Sequence, residues 1–240
     1  MDTDNWLYMN NSYKKSFDAK IVSSDGKYVT LDKTAFFPKG GGVEHDTGII
    51  KRKSDGKEFK VIFTGKFNGN ISHEIEKEGL EVNDEVICNI DWDRRYKLMR
   101  YHTGTHVLCG VFSRDYNFLV TGNQLTTEKG RVDLNMETMD LDLIKKAFSK
   151  ANEIIAKDLP VDIYYISMEE AKKDPSLFKL AIGFPHDIDT LRIVDIKNFD
   201  AQADGGCHVK SLKEIGKLEF SEAKNKGKTN RRIYFTVEDI

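Results

Sequence analysis

Residues 1–90 alternate hydrophobic and polar side chains over short stretches, a pattern that predicts β-strands. Residues 17–37 read as two strands around a Ser-Asp-Gly turn, and residues 48–65 repeat this arrangement around a second Asp-Gly pair. A third segment places hydrophobic side chains at alternate positions, namely Val86, Cys88, Ile90 and Trp92. Short strands at this spacing predict a small β-barrel domain over residues 1–90.

The hydrophobic period changes after this region, and helices alternate with strands. Residues 93–116 predict a helix with Asp93 as its N-cap, and residues 140–158 predict a strongly amphipathic helix. Strand patterns occupy residues 118–125, 131–136, 161–168, 190–196, 216–223 and 231–239, and a short helix is predicted at 169–173. We therefore expect an α+β chain, in which residues 91–240 form a two-layer α/β domain with helices on one side of a mostly antiparallel sheet.

Composition is typical of a soluble globular protein. The chain has 240 residues, of which 39% are hydrophobic and 32% are charged. No apolar run approaches the length of a membrane span, and the N-terminus lacks the pattern of a signal peptide. Three cysteines are too few and too scattered for a disulfide framework. We expect a cytoplasmic protein without a membrane partner.

Charge is locally uneven, although the formal net charge is only −2. Residues 224–232 carry five basic side chains and no acidic one, and residues 93–100 carry four basic side chains. Such runs either contact phosphate groups or form a solvated face, and charge alone favours the solvated face. Without an acid in the run, five side chains are candidates for phosphate contacts: Lys224, Lys226, Lys228, Arg231 and Arg232.

The first candidate for chemistry is a pair of histidines on the predicted helix. His102 and His106 are four residues apart, so they share one helix face at a spacing that can chelate a single zinc ion. No glutamate follows His102, which excludes the H-E-x-x-H motif of metalloproteases. An isolated pair is equally consistent with two helix residues that are hydrogen-bonded locally.

A second stretch, Asp204-Gly-Gly-Cys-His208, lies about a hundred residues downstream. Its glycines permit positive backbone torsions, and a tight turn there would fold the Asp204 side chain back towards His208. Cys207 directly precedes His208, so in extended chain the two side chains point to opposite faces. The pattern favours the two helix histidines and His208 as metal donors, with Asp204 either a fourth donor or a neighbour of the site, and Cys207 as a small buried hydrophobic residue.

A glycine-rich segment, FFPKGGGVEHDTG, interrupts the predicted barrel strands. Gly40, Gly41 and Gly42 form either a flexible connection or a place where the backbone approaches a ligand closely, but they do not form a P-loop. The remaining histidines have no partner at ligand spacing, and we expect surface or hydrogen-bonded structural roles for them: His45, His73 and His186.

Several stretches match a known family in sequence and order, namely DWDRRYKLMRYHTGTHVL, TGNQ, RVDLNM, RIVDI and GGCHVKSLKEIG. They resemble the AlaX proteins, which are free-standing relatives of the alanyl-tRNA synthetase editing domain. The resemblance extends from about residue 30 to the C-terminus, and the glycine-rich segment resembles that of the longer AlaX proteins. It implies an N-terminal barrel-like domain, an α/β editing domain, one Zn²⁺ per chain, and a metal-dependent hydrolase that deacylates mischarged tRNA(Ala), chiefly with serine and secondarily with glycine.

Three positions depart from the family pattern of H-x-x-x-H followed by C-x-x-x-H. Asp204 occupies the position of the family cysteine, and Cys207 that of a threonine. Val43 stands where the glycine-rich segment commonly has a glutamine. The resemblance then assigns the metal-binding and catalytic roles to His102, His106, Asp204 and His208, and a substrate-binding role to Gly40, Gly41 and Gly42.

The bond to be cut is the ester between an amino acid and the terminal ribose of tRNA. A metal could activate water for this reaction, or hold the amino group and polarise the carbonyl. No serine–histidine–acid set is evident as an alternative. Thr105 and Gln124 could form hydrogen bonds with the serine hydroxyl. They fit equally well as an ordinary helix-face threonine and a turn residue at the end of a strand. Competing functions are a tRNA-binding relative without activity and an editing enzyme for another tRNA, as in the threonyl system.

Overall fold

The computed structural model describes residues 5–174, 177 and 189–238. The chain divides into two compact units, Met1–Lys97 and Leu98–Ile240. Helix α2, Trp92–Tyr116, starts in the first unit and continues into the second.

The N-terminal unit is a closed antiparallel barrel preceded by a short helix, α1, Leu7–Asn10. Its strands are β1 Ser16–Asp25, β2 Tyr28–Leu31, β3 Gly48–Arg52, β4 Glu58–Phe67, β5 Asn70–Ile75 and β6 Glu85–Ile90. The strand order is β1-β2-β5-β4-β3-β6, and β6 pairs back onto β1. The predicted small β-barrel is confirmed.

Turn chemistry and alternation explain this barrel. Gly26 and Gly56 adopt φ of 58° and 72° in the two Asp-Gly turns, a region that glycine enters without steric cost. Every second residue of β6 is buried, as the sequence pattern predicts. The interior is closed by large apolar side chains from several strands and the segment after β2, among them Ile21, Phe36, Ile50, Phe59 and Ile75.

The second basic run, residues 93–100, is structural. The buried Arg95 pairs with the buried carboxylate of Asp46 through Nε at 3.0 and 2.9 Å, and its other nitrogens donate to backbone carbonyls. Arg94 pairs with Glu44 at 2.8 Å. Arg100 is buried and donates to backbone carbonyls within the second unit. These three guanidinium groups bind groups of the fold itself, and carboxylates compensate the charges of Arg94 and Arg95.

The second unit combines helices with two antiparallel sheets. Its elements after α2 are β7 Val120–Leu125, β8 Gly130–Leu134, α3 Leu141–Ile155, β9 Val161–Ser167, α4 Met168–Ala171, β10 Thr190–Ile196, β11 Asp200–Ala203, a 3-10 helix Leu212–Ile215, β12 Leu218–Asn225 and β13 Arg231–Val237. The sheets have the orders β11-β10-β9 and β12-β13-β8-β7. The α+β class is confirmed, with two sheets in place of the single one expected.

Helix boundaries follow their caps. Helix α3 starts after Asp140, whose side chain accepts the N–H of Leu143 at 2.9 Å, and its Phe148 packs on aromatic residues of β12 and β13. The prediction of Asp93 as a helix cap is wrong, because α2 already includes it and Asp91 accepts the N–H of Arg94 at 3.2 Å.

None of the helices in the described residues combines the length and apolar character that a bilayer crossing requires.

Candidate metal centre

Helix α2 supplies two histidines to one buried site. His102 and His106 lie one turn apart, are 4% and 6% exposed, and have ring centroids 5.0 Å apart. A helix places residues i and i+4 on the same face, so their proximity follows from local structure alone.

The loop after β11 brings two more donors to these rings. His208 Nε2 lies 3.0 Å from Asp204 Oδ1, while His102 Nε2 and His106 Nε2 lie 3.4 and 3.8 Å from Asp204 Oδ2. One donor atom from each of the four residues lies within 4.8 Å of every other. This buried group could hold a metal ion.

Backbone contacts fix Asp204 in the loop. Its N–H donates to the Arg192 carbonyl at 3.1 Å, and its own carbonyl accepts from the Arg192 guanidinium at 2.7 Å. Its carboxylate also accepts the N–H of Gly206 at 2.6 Å. The side chain is thereby directed back over the loop towards His208, as the sequence predicts.

The reason for glycine in this loop differs from the prediction. Neither Gly205 nor Gly206 has a positive φ, so the expected left-handed torsions are absent from these two residues. Gly206 is instead pressed against His102, since a Cβ there would lie 2.4 Å from Cε1 of the ring. Absence of a side chain, and not backbone torsion, is what the site requires at this position.

Electrostatics favour the ionised form of Asp204 and the neutral form of His208. Burial alone would raise the pKa of Asp204, but the charge of His102 and hydrogen bonds from the three histidines outweigh burial and hold that pKa well below its usual value. Burial, reinforced by repulsion from His102 and His106, holds the pKa of His208 well below its usual value. An ionised carboxylate and a neutral imidazole are the forms that bind metals.

The donor set matches a divalent cation. Three imidazole nitrogens and one carboxylate are legitimate zinc ligands, and all three Nε2 atoms face the carboxylate. Cys207 is buried and is not one of the donors of this group. Its place on the opposite side of the turn stays a prediction. Nδ1 of His102 is buried and has no hydrogen-bond partner among the described residues.

Sequence reasoning missed two residues that shape the site, Thr103 and Arg192, and gave the wrong reason for a third, Gly206. Thr103 contacts the ring of His208 through its hydroxyl, Arg192 holds the backbone of Asp204, and Gly206 packs on a histidine ring. Thr103 stands inside the histidine motif, which is a signal that could have identified it. Arg192 carries no such signal, because its contact depends on how two distant segments pair.

The two side chains predicted to contact the serine hydroxyl lie in different settings. Thr105 is buried on α2, and its hydroxyl donates to the carbonyl of Tyr101 at 2.7 Å. Gln124 lies exposed on β7. Their roles in substrate binding stay predictions.

The glycine-rich segment forms a tight turn in the N-terminal unit. Gly40 and Val43 exchange two backbone hydrogen bonds, of 3.2 and 2.9 Å. Gly41 and Gly42, between them, have φ of 58° and 82°. Val43 is buried, so the position of the family glutamine holds an apolar side chain without hydrogen-bonding groups. Ligand binding by the three glycines stays a prediction.

The basic C-terminal run is partly compensated by acids on the same strand or on a neighbouring one. Lys224 pairs with Glu222 at 2.8 Å, and Arg232 forms two 2.8 Å hydrogen bonds with Asp133. The expectation that these two cations lack nearby acids is therefore wrong. The acids lie two residues away on the same strand, or opposite on β8, where the run itself does not show them.

The remaining three cations of this run differ in how exposed they are. Arg231 is 7% exposed and donates to backbone carbonyls, so its guanidinium serves the hairpin. Lys226 and Lys228 are exposed in the connection between β12 and β13 and form no ion pair with a described residue. These two lysines are the cations of the run that are best placed to meet phosphate.

The other histidines fit structural roles where the structure describes them. His73 is fully buried, and its ring nitrogens contact the Val29 carbonyl at 3.2 Å and the Thr34 hydroxyl at 2.9 Å. His45 donates to the carbonyl of Ile62 at 3.2 Å. His186 lies outside the described residues.

Comparison with family models relates both ends of the chain to aminoacyl-tRNA synthetases. Residues 7–94 match the model described as tRNA synthetases class II (A). Residues 191–234 match the model described as the threonyl and alanyl tRNA synthetase second additional domain. The second match includes the loop with Asp204 and His208.

Curated relatives extend this similarity to nearly the whole chain. The alanyl-tRNA editing protein AlaX-M of Methanosarcina mazei is 44% identical over 97% of this chain and 96% of its own length. The AlaX-M protein of Saccharolobus solfataricus is 43% identical over 97% and 98%. The alanine–tRNA ligase of Sulfurisphaera tokodaii is 38% identical over 89% of this chain but only 24% of the ligase. The chain belongs to the AlaX-M family of alanyl-tRNA editing proteins, which are related to part of alanine–tRNA ligase.

Proposed function

We propose that this protein hydrolyses the ester bond of mischarged tRNA(Ala), with Ser-tRNA(Ala) as the main substrate and Gly-tRNA(Ala) as a secondary one. The observation that carries the proposal is the buried group of three imidazoles and one carboxylate in a chain related along its length to alanyl-tRNA editing proteins. In this proposal, residues 91–240 form the editing domain, and residues 1–90 form a barrel domain that carries the glycine-rich turn.

The site is proposed to hold one zinc ion through His102, His106, Asp204 and His208. A bound divalent ion supplies a Lewis acid for ester hydrolysis. The three imidazoles are buried, Asp204 is partly buried beside them, and one donor atom from each lies within 4.8 Å of the others. The depressed pKa values of Asp204 and His208 favour the ionised carboxylate and the neutral imidazole, which are the forms that bind a cation. Because a carboxylate is a harder donor than the family's thiolate, this site should accept manganese or cobalt more readily than a cysteine-containing site does.

Discrimination against alanine is proposed to depend on the serine hydroxyl. The Thr105 hydroxyl gives its hydrogen to Tyr101, so its oxygen still offers a lone pair that could accept a hydrogen bond from serine. Gln124 could contribute an amide group. Alanine would leave such polar groups unpaired, and a site built for hydrogen bonding rejects a substrate without the hydroxyl.

Affinity for tRNA is proposed to come from phosphate contacts that read no sequence. Lys226 and Lys228 flank Gly227, whose φ of 113° shapes the exposed end of the hairpin. Their ammonium groups could reach the backbone of a bound tRNA. Lys224 and Arg232 belong to the same run and would contribute only in competition with their carboxylate partners.

Deacylation assays test the proposal directly. Purified protein would be incubated with Ser-tRNA(Ala), Gly-tRNA(Ala), Ala-tRNA(Ala) and Ser-tRNA(Thr), each with and without a chelator. We expect rapid loss of serine from tRNA(Ala), sparing of Ala-tRNA(Ala), and inhibition by the chelator that added zinc reverses.

A variant links the assay to the site. His106→Ala should lose metal by elemental analysis, and hydrolysis with it, while circular dichroism shows a folded chain. Equal rates on Ser-tRNA(Ala) and Ala-tRNA(Ala) would refute the discrimination. No rate above buffer would favour a binding protein without activity, and preference for Ser-tRNA(Thr) would favour the threonyl system.

A further inference from the structure

Thr103 is not one of the four proposed metal donors, but it contacts one of them, His208. It lies on α2 directly after His102, and its side chain is fully buried. Its hydroxyl oxygen lies 3.1 Å from the carbonyl oxygen of Met99, 3.1 Å from Nδ1 of His208 and 3.2 Å from the backbone nitrogen of Val209. One hydroxyl thus joins the helix to the loop that carries His208.

The hydrogens and lone pairs of the Thr103 hydroxyl and its partners determine how these three contacts are made. A hydroxyl has one hydrogen to donate and two lone pairs that accept. The Val209 N–H can only donate, so it occupies one lone pair, and the Met99 carbonyl can only accept, so it takes the hydroxyl hydrogen. The second lone pair is left for His208. All three contacts are satisfied together only when Nδ1 of His208 carries a hydrogen. The 3.0 Å contact between Nε2 and the Asp204 carboxylate then needs a cation between the two atoms, whereas without a cation Nε2 would have to carry the hydrogen.

We propose that Thr103 is the positioning residue for His208. By accepting the Nδ1 hydrogen, it leaves the lone pair on Nε2, the ring nitrogen that lies 3.0 Å from the Asp204 carboxylate and faces the group of donors. A neutral imidazole can bind a cation only through the nitrogen without hydrogen, and the partner of the other nitrogen fixes which one that is.

The setting makes this hydroxyl a stable acceptor. Its own hydrogen is held by the Met99 carbonyl four residues earlier on α2, and the methyl group of threonine restricts its χ1 rotation in the helix. His102 offers a contrast, because its Nδ1 has no hydrogen-bond partner among the described residues. His208 is therefore the ring for which a side-chain partner of the second nitrogen is seen directly.

Two substitutions separate the hydroxyl from the shape of the side chain. Thr103→Val keeps the branched shape and removes the oxygen, whereas Thr103→Ser keeps the oxygen and removes the methyl group. The dissociation constant for zinc would be measured by competition with a chromophoric chelator. We expect about 10–100-fold weaker binding in the valine variant, the usual effect of losing the outer partner of a metal-binding histidine. The serine variant should stay within a few-fold of the wild-type protein.

A second measurement does not depend on activity. Long-range ¹H–¹⁵N spectra of the ¹⁵N-histidine-labelled, zinc-loaded protein, assigned with His208→Gln, show which ring nitrogen carries hydrogen. Hydrogen on Nδ1 of His208 in the wild-type and serine proteins supports the proposal. Hydrogen on Nε2 in the wild-type protein overturns it, as does a valine variant that binds zinc as tightly as the wild type.

The inference rests on the proposed metal binding but not on the proposed substrate. Failure to deacylate Ser-tRNA(Ala) would overturn the proposed function and leave the zinc affinities and spectra as a valid test of Thr103. A serine variant as defective as the valine variant would assign the effect to the methyl group and overturn the role of the hydroxyl. Failure of the wild-type protein to bind zinc would overturn both.

Discussion

Replacing Gly206 with alanine tests whether the loop holds the four donors at metal-binding distance. The added Cβ would lie 2.4 Å from Cε1 and 2.7 Å from Nδ1 of His102, whereas ordinary contacts begin at 3.4 Å. The ring or the loop must therefore move by about 1 Å. The φ of Gly206 is not positive, so alanine meets no backbone strain there and the effect is steric.

The size of this displacement decides the expected outcome. Metal–ligand distances in a working site vary by about 0.2 Å, so a shift of about 1 Å withdraws one donor from the set. We expect zinc affinity to fall by at least about 10–100-fold, which corresponds to roughly 1.4–2.8 kcal/mol. Hydrolysis of Ser-tRNA(Ala) at limiting zinc should fall in parallel, and excess zinc should restore part of it.

The assay is chelator competition, with circular dichroism to verify the fold. Gly205→Ala is the matched control, because Gly205 is the exposed neighbour in the same loop and also lacks a positive φ. The control should bind zinc as the wild-type protein does. If Gly206→Ala binds zinc and cleaves Ser-tRNA(Ala) within about twofold of the wild type, His102 is not held by this packing.

Three further changes probe other parts of the molecule. Asp204→Ala should lose most metal and activity while Cys207→Ser keeps both, as measured by elemental analysis and deacylation; the reverse pattern would make sulfur the ligand. Burial lowers the pKa of His73 to about 4 from 6.5, so the unfolded chain takes up a proton that the folded barrel excludes. Barrel stability should be complete above pH 6.5 and fall by about 3 kcal/mol as the pH decreases to 4. Urea unfolding followed by tryptophan fluorescence checks this, since both tryptophans lie in the N-terminal unit; an equally steep pH dependence in His73→Gln would exclude this histidine as the cause. Replacing Lys226 and Lys228 together by glutamine should reduce the slope of log affinity for tRNA against log salt by about one unit per lost contact, and an unchanged slope would place both lysines away from phosphate.

Sequence predicts the helical half of the candidate site better than the loop half. The proximity of His102 and His106 follows from a spacing of four residues on one helix. The approach of Asp204 and His208 to this helix depends on packing between segments about a hundred residues apart. Their residue types suggest metal donors, but within the sequence only the family resemblance links them to the helix histidines. The glycine between them was expected for its torsions, but its function is to admit a histidine ring, which only the folded structure shows.

In the fold as well, features that depend on neighbouring residues can be predicted from the sequence, whereas features that depend on the pairing of distant segments cannot. Strands with regular alternation, such as β6, were predicted, whereas β5 and β11 were not. In β5 the buried position of His73 is polar, which obscures the alternation, and β11 is only four residues long. The compensation of Arg232 by Asp133 depends on the pairing of β13 with β8, so charge counting along the chain could not reveal it.

Asp204 and His208 face two histidines of α2 from a loop whose backbone is fastened to β10 through Arg192. A cation shared by these four residues would be a removable cross-link that closes a ring of about a hundred residues within one unit. The strength of that link adds to the stability of the unit according to RT ln(1 + [metal]/Kd), and withdrawal of the ion releases it. Heating with increasing zinc should therefore raise the melting temperature of the C-terminal unit, while the barrel, which contributes none of the four donors, gains nothing from direct ligation. The supply of metal would then determine how long the C-terminal unit stays folded, as well as whether its site can hydrolyse a substrate.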